Sequence, residues 1–191
     1  MKKLSILIMS FGLLVSCSKE SDDLGAPASS AQSQTTSGAK ASKIFKASFQ
    51  SIVDVNPAIP PTQCSGDLPT LANPGYFLTG NATHLGEIIS SQSRGQDLTC
   101  DLSFTTKLLI TSVSGQLTAA NGDVIYYTGN DVIDASNYID GVGYDGTITG
   151  TWTITGGSGR FEGATGSFDI NGPADFSTGT FSFEAIGTIN Y

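Results

Sequence analysis

The feature that most constrains the fold of this 191-residue chain is a run in which every second residue, from 147 to 155, is threonine. The residues between these threonines are Ile148, Gly150, Trp152 and Ile154. Successive side chains of a β-strand point to opposite faces, so the alternation predicts a strand with threonine on one face and apolar residues on the other. We therefore expect Trp152 to lie in the packed layer of the protein.

A glycine-rich turn follows this strand. Residues 156–166 read GGSGRFEGATG, and glycine takes positive φ without strain, so the segment predicts a tight turn. Phe161 is the one large apolar residue in it, and we expect it to fold back and close the end of the apolar layer. The predicted structural residues of the turn are Gly156, Gly157, Gly159, Phe161, Gly163 and Gly166.

The rest of the chain is typical of an all-β protein with many turns. Strands are predicted at residues 44–52, 75–85, 87–93, 98–113, 116–119, 124–128, 147–155, 164–171 and 179–190. Asn121-Gly122 between two of them predicts a hairpin. The proline-rich residues 53–73 and the acidic residues 130–145 are predicted loops. Antiparallel strands of this number close most simply into an eight-stranded barrel, with a sandwich as the alternative.

The N-terminus predicts export and lipidation. Lys2 and Lys3 precede an apolar run, residues 4–15, that is too short to span a bilayer. Cys17 follows Leu-Val-Ser, which resembles a bacterial lipobox; the alternative is an ordinary signal peptide with an incidental cysteine. We predict a signal peptide at 1–16, a lipidated Cys17 and flexible tether at 17–42, and the β-barrel domain at 43–191.

The expected location is the outer membrane, through the lipid anchor. Ser18 stands where an aspartate retains some lipoproteins in the inner membrane. Residues 19–23, KESDD, resemble the acidic tag of surface-exposed Bacteroidetes lipoproteins, although a solvated spacer explains them equally well. The formal net charge of −8, without a Lys/Arg cluster, argues against nucleic acid as a partner.

A family resemblance rests on two motifs. The segment 156–166 resembles the GGTGRFxGATG signature of bacterial proteins related to the allene oxide cyclase and dirigent barrels, and residues 82–86, ATHLG, are similar to the same group. The resemblance implies an eight-stranded antiparallel barrel with a central apolar cavity, in a family whose members often form oligomers. Its enzymes cyclise or couple reactive small molecules. No residue of this chain matches the plant cyclase's active site, so no catalytic role is transferred.

Few residues are candidates for chemistry. Cys64 and Cys100 predict a disulfide in an oxidising compartment, with free thiols as the alternative. His84 is the only histidine, and with Glu87 or Glu184 it is a candidate catalytic pair; a structural role is the alternative.

The acidic segment offers oxygen ligands to a metal such as Ca²⁺, but its spacing is not that of an EF-hand, so a solvated loop is the preferred interpretation. The candidate ligands are Asp131, Asp134 and Asp140. We predict no metal and no cofactor.

Three functions therefore remain open. The leading hypothesis is a lipid-anchored barrel that binds a small apolar ligand or a surface partner without catalysis. The second is a cyclase or isomerase acting on a small apolar substrate inside the barrel, and the third is a purely structural envelope lipoprotein. The interior distinguishes them, because an enzyme needs a polar pair in an apolar cavity, whereas a structural protein fills its interior with Phe and Trp.

Overall fold

The structure is a computed structural model, and it describes residues 41–54, 60–67, 69, 72–136, 145–175 and 177–191. The predicted signal peptide, the lipidated Cys17 and nearly all of the tether lie outside the described residues, as does Asp140. Within the described part of the chain, no helix has the length and apolar character needed to cross a membrane.

The described domain is all-β, as the sequence predicts. Its strands are β1 (Ser42–Val53), β2 (Thr62–Gln63), β3 (Ser65–Gly66), β4 (Ala72–Asn73), β5 (Tyr76–Ala82), β6 (Gly86–Ile88), β7 (Arg94–Ser103), β8 (Leu108–Thr118), β9 (Val124–Asp134), β10 (Asp145–Ser158), β11 (Thr165–Asp175) and β12 (Thr180–Asn190). Two 3₁₀ turns, Ser90–Gln92 and Gly159–Phe161, complete the described elements.

Eight of the strands form a closed ring. The pairing runs from β7 through β8, β9, β10, β11 and β12 to β1 and β5, and β5 pairs back to β7. All eight pairings of this ring are antiparallel. Closure satisfies backbone groups that an open sheet would leave at its edges. The short β6 extends from β5, β3 runs parallel to β7, and β2 and β4 form a separate pair.

Several predicted boundaries are wrong. The single long strand predicted at 98–113 is two strands, β7 and β8, joined by a turn in which Lys107 takes a φ of 56°. Two threonines in this turn have high strand propensity, which hides it in the sequence. The strand predicted at 87–93 is the short β6 followed by a 3₁₀ turn. The hairpin at Asn121-Gly122 is confirmed, since it joins β8 to β9.

The predicted acidic loop also begins too early. Its first residues, Asn130 to Asp134, continue β9 and pair with both neighbouring strands, and its last residue, Asp145, begins β10. Acidic side chains disfavour strands in general, but here the register with β8 and β10 overrides that preference.

The alternation of β10 is confirmed. All five threonines are exposed, whereas Ile148, Trp152 and Ile154 are buried. Phe161 is fully buried in the 3₁₀ turn after β10, and its ring centroid lies 4.8 Å from that of Tyr191, the residue after β12. The glycine-rich turn therefore holds Phe161 inside one end of the ring.

Glycines on inward-facing positions make room for aromatic rings. Gly129 pairs across the strands with Trp152, and a Cβ added at Gly129 would overlap the indole ring. Gly115 pairs across the strands with Tyr127, and a Cβ added at Gly115 would overlap the phenol group of that tyrosine. The interior is therefore filled by large rings seated over glycines on neighbouring strands.

The predicted disulfide is present. The Sγ atoms of Cys64 and Cys100 are 1.93 Å apart. Next to the bond, the Ser65 hydroxyl donates to the Cys100 carbonyl at 3.2 Å. The bond thus ties the proline-rich segment between β1 and β5 to the middle of β7.

Candidate functional site

A small cavity lies inside the end of the ring where β1 ends and β12 begins. Its volume is about 40 Å³. The walls combine acidic, hydroxyl and aromatic side chains from six strands of the ring: Tyr76, Asp97, Thr111, Asp131, Trp152 and Phe183. Two buried carboxyl groups, those of Asp97 and Asp131, line this cavity, which makes it the candidate site.

Two buried carboxyl groups define the cavity. Asp97 on β7 is 5% exposed and Asp131 on β9 is 4% exposed. A register shift between Asp97 and Thr99 places Leu98 and Thr99 both on the outside of the ring. This bulge turns Asp97 inward while keeping Cys100 inward as well.

The Asp131 carboxylate is held by the indole of Trp152. Trp152 Nε1 donates to Asp131 Oδ1 at 2.7 Å. Gly150 is the cross-strand partner of Asp131, and a Cβ there would overlap the same carboxylate oxygen. On its other side the indole stacks parallel to the Tyr127 ring, with centroids 4.3 Å apart. Asp131 is therefore fixed by a hydrogen bond and by the packing around Trp152.

Two tyrosine hydroxyl groups lie beside the carboxyl groups. The Oη atoms of Tyr76 and Tyr127 are 3.4 Å apart. Burial raises the pKa of both phenols above the ordinary value, and the neighbouring carboxylates raise each further. Both tyrosines are therefore neutral hydrogen-bonding groups at any physiological pH.

The pKa values of the two carboxyl groups lie near neutrality. Burial raises the pKa of Asp131 to about 7, against the opposing effect of the hydrogen bond from Trp152. Burial, and then the charge of Asp131, raise the pKa of Asp97 to about 7. A group with a pKa near the ambient pH both takes up and releases protons, so the pair is chemically suited to acid–base exchange.

The size of the cavity limits what enters it. A volume of about 40 Å³ accommodates a few water molecules, whereas sites for organic ligands are roughly ten times larger. The remaining interior is occupied by packed rings, with Trp152 contacting both Phe168 and Phe183 at centroid distances of 5.7 Å.

The predicted catalytic residues lie elsewhere. His84 is half-buried in the turn after β5, takes a φ of 70°, and donates from Nε2 to the Ile44 carbonyl at 2.9 Å. Glu87 and Glu184 are exposed on the outside. The interior polar pair expected from these residues is not formed, and the pair that the structure shows is Asp97 with Asp131.

The two described candidates for a metal ligand, Asp131 and Asp134, have different surroundings. Asp131 is buried in the cavity, whereas Asp134 at the end of β9 accepts a hydrogen bond from the Ser136 amide at 2.8 Å. In the part of the chain that the structure describes, no three residues among His, Cys, Asp and Glu gather as a metal site would require.

One signal in the sequence could have identified half of this site. Ile125, Tyr127, Gly129, Asp131 and Ile133 occupy alternate positions of one strand, and Thr128 and Asn130 stand between them. An acid therefore occupies an inward position of an otherwise largely apolar series. Asp97 has no such signal, because the bulge beside it breaks the alternation.

No family model matches the chain, and comparisons with the curated proteins and with the solved structures give no match.

Proposed function

We propose that this chain is a lipid-anchored protein of the outer membrane whose ring is an antiparallel barrel of the allene oxide cyclase/dirigent-like kind. Its function in this proposal is to bind a partner through the outer surface of the barrel, without catalysis. The observation that supports the proposal is the interior, which is filled by aromatic side chains and leaves a cavity of only about 40 Å³. A filled interior opposes an internal ligand but fits a purely structural envelope lipoprotein equally well, so binding of a partner by the outer surface is what separates these two functions.

The family part of the proposal is supported by contact between the two motifs that resemble it. Arg160, in the glycine-rich turn, donates to the carbonyl of His84, in the ATHLG segment, and its Nε lies 3.2 Å from Asp123 Oδ2 in the β8–β9 turn. Two segments distant in sequence, which carry the two motifs of the resemblance, thus meet at one end of the ring.

The packing of the interior opposes an internal ligand. Phe45 and Phe168 stack with centroids 4.7 Å apart, and Phe49 contacts Phe183 at 5.7 Å. A ligand inside the ring would have to displace one of these aromatic side chains and so break the packing contacts that it makes. Partner recognition is therefore assigned to the outside.

The test is thermal unfolding with and without benzene, a probe that stabilises proteins containing an empty apolar cavity. We expect no change in Tm for the wild type and a rise for Phe183→Ala, in which the missing ring leaves space. A benzene-induced rise in the wild type equal to that of the variant would contradict a filled interior and, with it, the proposal.

The membrane anchor has a separate test. The wild type should sediment with the membrane fraction, and Cys17→Ala should be released into the soluble fraction because it cannot be lipidated. A variant that remains in the membrane pellet to the same extent as the wild type would contradict the anchor.

A second candidate, acid–base catalysis by a cyclase or isomerase, is favoured by the buried pair Asp97 and Asp131. A substrate could reach this pair only if the mouth of the ring opens. Acrylamide quenching of Trp152 measures such opening, since this is the only tryptophan. Quenching close to that of the unfolded chain would favour the enzyme, whereas strong protection would favour the non-catalytic protein.

A further inference from the structure

The outer face of β8, β9 and β10 carries an ordered array of uncharged polar side chains. The cross-strand register places them in two rows, Ser112–Asn130–Thr151 and Ser114–Thr128–Thr153. Neighbouring strands in a sheet lie about 4.8 Å apart, and alternate residues along a strand lie about 6.8 Å apart. We call these six side chains the hydroxyl face.

Two shallow grooves run along this face. One, of about 370 Å³, is lined by most of the hydroxyl face together with Leu98. The second, of about 390 Å³, continues from Ser114 to Gln116 and Tyr126. Leu98 is 56% exposed and Tyr126 is 43% exposed, so each groove has one large apolar side chain open to solvent.

Acidic side chains are absent from the described lining of both grooves. The chain has 17 Asp and Glu residues, yet none of the described residues lining either groove carries a carboxylate. The one charged lining residue is Arg94, whose guanidinium lies 3.6 Å from Asp54 and covers the Phe77 ring at 4.6 Å. Neither groove is therefore lined by a cluster of cations or by a carboxylate, although the carboxylate of Asp169 borders the face beside Thr151.

This chemistry selects one class of partner. Nucleic acids and other polyanions require several Lys or Arg side chains, and an apolar partner requires a contiguous apolar patch. Hydroxyl and amide groups each donate and accept hydrogen bonds, which matches a ligand covered with hydroxyl groups. A tyrosine ring provides an apolar surface with a polar end, which suits the alternating C–H and O–H faces of a sugar.

The face is also preorganised. Threonine is restricted at χ1, and every residue of the face lies on a strand paired on both sides. Thr151 Oγ1 is fixed further, because it donates to Asp169 Oδ1 at 2.6 Å. Little side-chain entropy is lost when such groups bind a ligand, which favours affinity.

We propose that the hydroxyl face and its adjoining groove bind a neutral polysaccharide. This inference rests on the proposed function, since it names the class of partner that the outer surface recognises. It places the polysaccharide on the side of the ring formed by β8, β9 and β10, with Tyr126 stacking on a sugar ring.

The test is affinity electrophoresis of the full chain, in detergent, through gels containing dextran, mannan, hydroxyethylcellulose or heparin. We expect retardation by at least one neutral polysaccharide, unchanged between low and high salt, and no retardation by heparin. Retardation by none of the three neutral polymers, or retardation by heparin that salt abolishes, would overturn the proposal.

Two variants locate the binding surface. Thr128→Lys places a charged side chain in the centre of the face, and Tyr126→Ala removes the ring; each should weaken binding at least tenfold. The matched control is Thr188→Lys, an exposed threonine on β12 outside the hydroxyl face. Binding that survives both face variants, while the melting temperatures remain those of the wild type, would show that the site is elsewhere.

The outcomes of the polysaccharide experiments can be distinguished from those of the benzene experiment, which tests the proposed function. If no polysaccharide binds but benzene leaves the wild type unchanged, the polysaccharide inference fails and partner binding by the outer surface stands. If benzene stabilises the wild type, the proposed function itself fails.

Discussion

Replacing Asp97 with Asn should stabilise the protein at alkaline pH and leave its stability nearly unchanged at acid pH. Burial and the neighbouring Asp131 raise the pKa of this carboxyl from 3.8 to about 7 in the folded protein. Between these two values the folded state binds more protons than the unfolded state, so the free energy of unfolding falls as the pH rises. This decrease in the free energy of unfolding begins near pH 4 and is complete above about pH 7.

The size of the expected stabilisation follows from the shift in the pKa of Asp97. One pKa unit corresponds to about 1.4 kcal/mol, so an increase of about three units destabilises the ionised form by about 4 kcal/mol. Asn is nearly isosteric with Asp and carries no charge, so the variant avoids this destabilisation. We expect Asp97→Asn to be about 2–4 kcal/mol more stable than the wild type at pH 8.

The assay is urea unfolding of both proteins at several pH values from 4 to 8, with the free energy taken by linear extrapolation. Comparing variant with wild type at each pH cancels the contributions of other carboxyl groups, including Asp175, whose pKa is lowered by hydrogen bonds from Ser177 and Thr178. The control is Glu184→Gln, an exposed acid on β12 that should change stability little at any pH. If Asp97→Asn is no more stable than the wild type at pH 8, ionisation of the Asp97 carboxyl does not destabilise the folded protein. That result would refute the prediction.

Three further predictions concern the fold. Phe161→Ala should lower the free energy of unfolding by about 3–5 kcal/mol in urea titrations. Thr151→Ala, on the outer face, should change it by less than about 1 kcal/mol. Equal effects of the two substitutions would contradict the assigned faces. Gly129→Ala should destabilise by at least about 1–3 kcal/mol, because its methyl group would overlap Trp152, and an unchanged melting temperature would show that the pairing is wrong. Mass spectrometry of the non-reduced protein should find Cys64 and Cys100 linked, and alkylation of both without prior reduction would disprove the bond.

Local chemistry made much of the fold predictable. Alternation placed Trp152 inside, and Asn121-Gly122 identified the β8–β9 hairpin, because both signals act over a few neighbouring residues. The disulfide was predicted because Cys64 and Cys100 are the two cysteines that remain once Cys17 is assigned to the expected lipid anchor. The turn between β7 and β8 was missed because its threonines favour strands.

The candidate site was largely invisible in the sequence. The candidates chosen there, His84, Glu87 and Glu184, were the ionisable residues that stand out by type or position, and all three lie outside the cavity. Asp131 was named only as a candidate metal ligand and Asp97 was not named, because the cavity forms only when the ring brings their strands to opposite sides of β8.

The sequence by itself therefore determined the all-β class, the face that β10 turns inward, the glycine-rich turn and the pairing of the cysteines. Only the tertiary structure decided the order of the ring, the seating of Trp152 over Gly129, and the bulge that turns Asp97 toward Asp131. The reason is the range of the forces involved. Side-chain alternation and backbone preference act within a few residues, whereas register between distant strands is set by the packing of the whole interior.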